Sequence, residues 1–469
     1  MRPYCIVLFL LLCGWNSIAQ DSTWISKKAM LQDIDLLTAK IEYSHVNAYH
    51  YRTKQECQEF VAQLKQELPD YCSPFDFWRK LETIFVFMND AHTRTYPRAY
   101  YKAYVERKGL FVPFTIHKKE EQYTIAKNLS TSATIDNNST LKAINGIAMP
   151  DIFGQLLMHS SQELDFLDES YIMTTFPYLI WKVYGWESPY TIDFYDHQGK
   201  EQRVVVEGVS AKVRNEAEGI KQHQEVCTLR FVQDTIAVMT IRDFDQKSRR
   251  YYRSFYRKSF RAMDKHKSTI LILDFRGHDG GDSRYGDDLG KYFANKPFRS
   301  SAEIQWKVTP EFKTQFAGLY IPRVLRWAKF LYGVNPHTKA IWHTKDNAIA
   351  VVPSPMIKPY KKTLRRNRKT YLLIDNDTFS AGSMFAAMVK DYRLGTLVGQ
   401  PTGSVSSFYA DPIMWYQLPN SGTTFQVSTS LNIRPNGKLD HQSIMPDEIV
   451  PDGKDSLEYL LEKIGGMAP

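Results

Sequence analysis

Between residues 225 and 460 the chain alternates continuous apolar runs with segments of helical periodicity, and this alternation restricts the fold more than any other feature. "TIAVMTI", "STILILDF", "TYLLIDN" and "LGTLVGQ" read as strands, while "SRRYYRSFYRKSFRAMDKH" and "SAGSMFAAMVKDY" read as helices. Strands that are apolar throughout, rather than at every second residue, are buried on both faces. The stretch therefore predicts a mostly parallel sheet covered by helices. Residues 300–365 interrupt the pattern and are expected to form an insertion or lid. Within them, "IPRVLRWAKFLYGV" predicts a cationic helix with an aromatic face, suited to a core or interface position, a membrane contact or a cover over substrate.

The rest of the chain has a different texture. Over residues 20–105, apolar positions recur at three- and four-residue steps, as in Met30, Ile34, Leu37 and Ile41, which predicts helices with one buried stripe. Ser73 and Pro74 mark a helix start as N-cap and first helical residue. Residues 110–208 show short alternating runs and a hairpin around "DHQGK", so a β-rich module with a helical insertion is expected there. The whole is an α+β multidomain chain.

Residues 1–19 carry Arg2, a short apolar run and small residues at Ser17 and Ala19, the pattern of a secretory signal cut after Ala19. Lipoprotein anchoring through Cys13 is the alternative, although Leu12 is bulky where a small residue is expected. Three cysteines follow the signal: Cys57, Cys72 and Cys227. A Cys57–Cys72 disulfide and separate buried thiols both remain open. No cysteine spacing suggests a metal site, and no cofactor is expected. The 469 residues carry 60 basic and 51 acidic side chains, a net +9 that is mild for the length and concentrated in Lys358–Tyr371. With no aromatic-interleaved basic pattern, nucleic acid is not an expected partner. Nor is a stable membrane span.

Four segments carry possible chemistry. In "DTFSAGSMFAAM" Ser380 opens a helix, either as a cap or as a nucleophile beside unpaired N–H groups. "LILDFRGHDGGDS" ends a strand in a loop whose Gly280 and Gly281 let backbone N–H groups face a ligand. "FMNDAHTRT" places His92 after an apolar helix, with Asp90 nearby; His45 competes as a base. Asp440 and Asp447 follow the last strands, where a carboxylate can orient a histidine.

In their order these segments resemble the tail-specific, or C-terminal processing, serine peptidases, and more closely the tricorn-type branch. "ILDFRGHDGG" is similar to D-L-R-x-N-x-G-G, "DTFSAGSMFAA" to T-x-S-A-x-E, "LVGQPTG" to V-G-E-x-T-G, "KLDHQSIMPDEIV" to E-x-x-G-I-x-P-D and "MNDAHTRT" to D-G-H-T. The resemblance implies a helical N-terminal region, a PDZ-like module and a ClpP/crotonase-like core. It also implies a serine-type endopeptidase acting on polypeptides, with Ser380 as nucleophile and His92 as general base. Asp440 would orient His92, and the N–H groups of Ala381 with Gly280 or Gly281 would form the oxyanion hole. "GSVSS" contains no lysine, so the histidine version is preferred to a Ser-Lys dyad. Activity is then expected to fall as His92 protonates around pH 6. His278, Ser383 and Asp440 depart from the residues usual at their positions, which leaves a peptide-binding protein without turnover as the alternative.

Overall fold

The computed structural model describes residues 24–465 apart from 133, 161–162, 219–224, 322, 329–331, 333–335 and 362–366. The signal expected at residues 1–19 lies outside the described residues.

The expected parallel sheet is present. Its six strands lie in the order Cys227–Val232, Ile236–Ile241, Ile270–Asp274, Lys369–Ile374, Thr396–Gly399 and Glu448–Ile449. Only the first is antiparallel to its neighbour. The continuous apolar runs divide between two layers because successive residues point to opposite faces. Ala237, Met239, Leu271, Leu273, Leu372 and Ile374 pack against the helices Arg249–His266, Ser283–Phe293 and Ala381–Asp391. Val238, Ile272, Leu373 and Val398 pack on the other side against Leu457 and Leu460 of the helix Ser456–Gly465.

A second sheet stands beside the first, in the order Ala348–Pro353, Glu303–Val308, Thr424–Asn432 and Phe408–Gln417, with Arg94–Thr95 added to Thr424–Asn432. Residues 303–308 and 348–353, read from sequence as part of an insertion or lid, are therefore strands of this sheet. The expected cationic helix is not seen as such: its described part includes a 3-10 turn, Arg323–Leu325, with Val324 and Trp327 exposed. Among the described residues no helix is long and apolar enough to cross a membrane.

The N-terminal helices Lys27–Ser44, Lys54–Gln66 and Pro74–Met88 close over Met30, Ile34, Leu37, Phe77, Leu81 and Phe85. Ser73 caps the third through a 3.1 Å bond from the Asp76 N–H, and Asn89 ends it with φ 58. Cys57 and Cys72 are separate thiols, so the disulfide is not formed. Residues 114–206 form a third sheet, with Phe114–Lys119 and Glu201–Val206 at its edges and the helices Met149–Leu157 and Asp165–Tyr184 packed on it. A buried ionic knot joins this sheet's helices to the N-terminal ones. Glu82 pairs with Lys182 at 2.7 Å and with His159 at 2.9 Å, and Lys182 also donates to the His159 carbonyl.

Candidate active site

Ser380 sits where the strand Lys369–Ile374 turns into the helix Ala381–Asp391. The turn is tied to the neighbouring strand end before the helix starts. The Asp375 carboxylate accepts the Gly277 N–H at 2.9 and 3.0 Å, and Thr378 Oγ1 donates to the Phe275 carbonyl at 3.0 Å. Ser380 itself adopts φ 50, ψ −117, and its side chain makes no capping bond. A backbone of this kind costs a non-glycine residue roughly 1–3 kcal/mol and persists only where its surroundings enforce it. Ser380 therefore holds the N-cap position, its carbonyl accepting the Met384 N–H at 2.9 Å, without capping the helix through its side chain. Its hydroxyl is left free of a capping bond and lies close to Gly280.

The surroundings that hold it are a relay of buried hydroxyls. The Ser380 N–H donates to Ser404 Oγ at 2.9 Å, Ser404 Oγ donates to Ser383 Oγ at 2.8 Å, and Ser383 Oγ donates to the Thr378 carbonyl at 2.8 Å. Ser383, which departs from the glutamate of the resembled pattern, thus closes a loop of bonds around the Ser380 turn. Gly403 completes it: its N–H donates to the Thr378 carbonyl, and a Cβ there would lie 2.0 Å from the Asn376 oxygen.

Both expected glycines adopt conformations that favour glycine: Gly280, at φ 107, lies against Ser380, and Gly281, at φ 111, lies against Phe244. Their N–H groups differ. The Gly280 N–H donates to His278 Nδ1 at 3.1 Å. Those of Gly281 and Ala381 have no acceptor among the described residues. Ala381 is the first residue of its helix, where the dipole and an unpaired N–H favour an anion. His278 lies fully buried against Phe275 and Phe244, and burial lowers its pKa to about 4. It is a neutral strut under the glycine loop.

His92 belongs to the turn after the helix Pro74–Met88, and tertiary packing carries that turn to the core. Its ring stacks on Phe379, the residue before Ser380, at 5.5 Å between centroids, and on Phe408 at 5.7 Å. Its carbonyl accepts from Gln426 Nε2, and Thr93 bonds to Ser428, both on the strand Thr424–Asn432. Burial lowers its pKa to about 4, against the opposing pull of Asp90, so the ring is neutral at physiological pH. This moves the expected acid limb down from around pH 6.

Asp90 organises the turn. One oxygen accepts the His92 N–H at 2.9 Å and the other meets His45 Nε2 at 2.9 Å. Burial pushes the Asp90 carboxyl up, but the bond and charge of His45 outweigh it and hold the group well below the usual carboxylate range. His45 also accepts the Asn47 N–H at Nδ1, so its two nitrogens are engaged in structure rather than offered as a base. The sequence brought Asp90 to notice only as a neighbour of His92. Its partner His45 is 45 residues away and unreadable as such.

Asp440 is placed differently from expectation. Its carboxylate accepts from Arg434 Nη1 at 2.9 Å and from the Gln442 N–H at 3.1 Å, and no bond from it reaches His92. The reason is local. Arg434 also clamps Asp391, so Asp440 serves an ion pair that pins the 434–442 loop to the core. His92 Nδ1 is buried with no hydrogen-bond partner among the described residues. Asp447 bonds to Lys390 and to the Leu397 N–H. Among the described residues no cluster of three His, Cys, Asp or Glu side chains is arranged to hold a metal.

Residues 235–450 match the family model described as Peptidase family S41. Two solved structures share the fold over nearly the whole chain. A CPAF mutant is 15% identical with a TM-score of 0.64, covering 93% of this chain and 96% of its own. Mature CPAF complexed with lactacystin is 16% identical with a TM-score of 0.61, covering 93% and 97%. No curated protein matches the chain.

Proposed function

We propose, from the match of residues 235–450 to the Peptidase family S41 model, that the chain is an exported serine endopeptidase that cleaves polypeptides through an acyl-enzyme on Ser380. One observation carries this most directly: a serine in a strained left-handed backbone at a helix start, pressed against Gly280, with the His92 ring on the adjoining Phe379.

His92 takes the Ser380 proton as the hydroxyl attacks the scissile carbonyl, and later gives it to the leaving amine. The oxyanion is received by the N–H groups of Ala381 and Gly281. Water then attacks the acyl-enzyme with His92 as base again. The sheet of residues 114–206 acts as a PDZ-like module, taking an extended chain at a free edge. Export relies on the signal at residues 1–19.

A fluorophosphonate probe is expected to label the wild-type protein at one serine, and Ser380→Ala to abolish both labelling and peptide cleavage. Labelling that survives in the variant rejects Ser380 as the nucleophile. The lone His92 Nδ1 and the engagement of Asp440 with Arg434 favour one second reading, a peptide-binding scaffold without turnover. In that case peptide binds the wild-type protein but no serine is labelled.

A further inference from the structure

A carboxyl that the sequence did not single out lies at the wall of this site. Glu163 is only 5% exposed and comes from the loop between the two helices of the 114–206 sheet. The loop is brought there by the Glu82–Lys182–His159 knot and by Ser160, whose hydroxyl bonds Asp168 at 2.6 Å. Glu163 has φ 60, and its carbonyl accepts from Asn89 Nδ2 at 3.4 Å, next to Asp90. Its neighbour Leu164 packs on Met384, Val405 and Phe408, the last of which carries the His92 ring.

The Glu163 carboxyl meets groups from four parts of the chain. Tyr51 donates to Oε1 at 2.7 Å, and the same hydroxyl lies 3.5 Å from His441 Nδ1. Asp90 and Arg94 act on it through charge, and the Val405 N–H lies beside it. Oε2 is buried with no hydrogen-bond partner among the described residues. Asp90 and Glu163 thus share one buried wall, but only Asp90 holds a histidine. Two carboxylates cannot both ionise cheaply in such a place, and the less supported one keeps its proton.

We propose that Glu163 is a positioning residue for His92, supplied by the β-rich module and acting as an uncharged carboxyl. It rests on the peptidase reading. Through Tyr51, Asn89 and the Leu164 contact, the module holds the His92 turn against the core. Ionising Glu163 sets a second negative charge beside Asp90 and loosens that hold. Burial, then the Asp90 charge, raise its pKa to about 8.

The test compares full-length wild type, Glu163→Ala and Glu163→Gln on a peptide substrate from pH 5 to 10. Glu163→Ala is expected to lower kcat on the order of tenfold with KM little changed, since small displacements of a catalytic group are costly. Glu163→Gln restores most of that loss. It also lacks the decline of wild-type activity through about pH 8. Thermal unfolding gives a readout independent of turnover. A carboxyl raised in the folded state stabilises below its unfolded pKa, and that stability drains as pH rises to the folded value. The Tm advantage of wild type over Glu163→Gln therefore shrinks between about pH 4.5 and 8. A Tm difference constant across that range, an alkaline limb unchanged in Glu163→Gln, or a wild-type kcat in Glu163→Ala overturns the proposal. Wild type that is neither labelled nor active rejects the peptidase reading instead, and the Tm comparison still decides the protonation of Glu163.

Discussion

Gly280 approaches Ser380 so closely that a Cβ on it would lie 2.8 Å from the serine Cβ and 3.3 Å from its Oγ. The glycine loop and the serine turn belong to different strand ends, 100 residues apart in the chain. Their contact is what turns two ordinary loops into one candidate site.

Gly280→Ala tests that contact. The added methyl collides with the serine, and φ 107 disfavours any side chain. The expected loss is on the order of 10² or more in kcat, the scale of removing an oxyanion contact. Steady-state kinetics on a peptide substrate checks it. Unchanged kcat in a folded variant would show that the loop has no part in the chemistry.

The protonation of His92 sets the acid limb. Because burial favours the neutral ring, the base stays available down to about pH 4. Below that value protonation removes it, so labelling of Ser380 should hold steady from pH 7 to 5 and fall by half near pH 4. A limb centred near pH 6 would mean that the ring is solvated as in a free histidine. His92→Ala should lower activity on the order of 10⁴-fold at pH 7, with the gap narrowing as the wild type loses its base below about pH 4.

Ser404→Ala removes the acceptor of the Ser380 N–H and the donor to Ser383 in one step. A buried donor left unpaired costs about 1–3 kcal/mol. Denaturant unfolding should show that loss, and kcat should fall because the strained serine backbone is no longer enforced. Wild-type stability and rate together would show that the hydroxyl relay does not support the turn.

Asp440→Asn separates structural from catalytic use of that carboxylate. Arg434 retains its bonds to Asp391, so activity should stay within a few-fold of wild type. Neutralising a true triad carboxylate costs on the order of 10⁴ in kcat. A loss of that size would restore Asp440 as the partner of His92.

The parallel sheet, its covering helices and the N-terminal helices were legible because each is written in local periodicity. The runs at 236–241 and 270–274 announce burial on both faces, and Ser73-Pro74 announces a helix start. The glycine loop and the Ser380 turn were legible as tight turns, since glycines and small residues at a strand end mark a sharp change of direction, while their use in a site was left open. The strands at 303–308 and 348–353 were not, because their partners lie in other segments of the chain. The same limit hid Glu163, the Asp90–His45 pair and the engagement of Asp440 by Arg434. Sequence determined which segments are strands, helices and tight glycine turns, because backbone preference and solvent avoidance act over a few residues. Only the tertiary structure decided which carboxyl meets which histidine, because charge and hydrogen bonding act through space, and burial sets their strength only once the chain has closed.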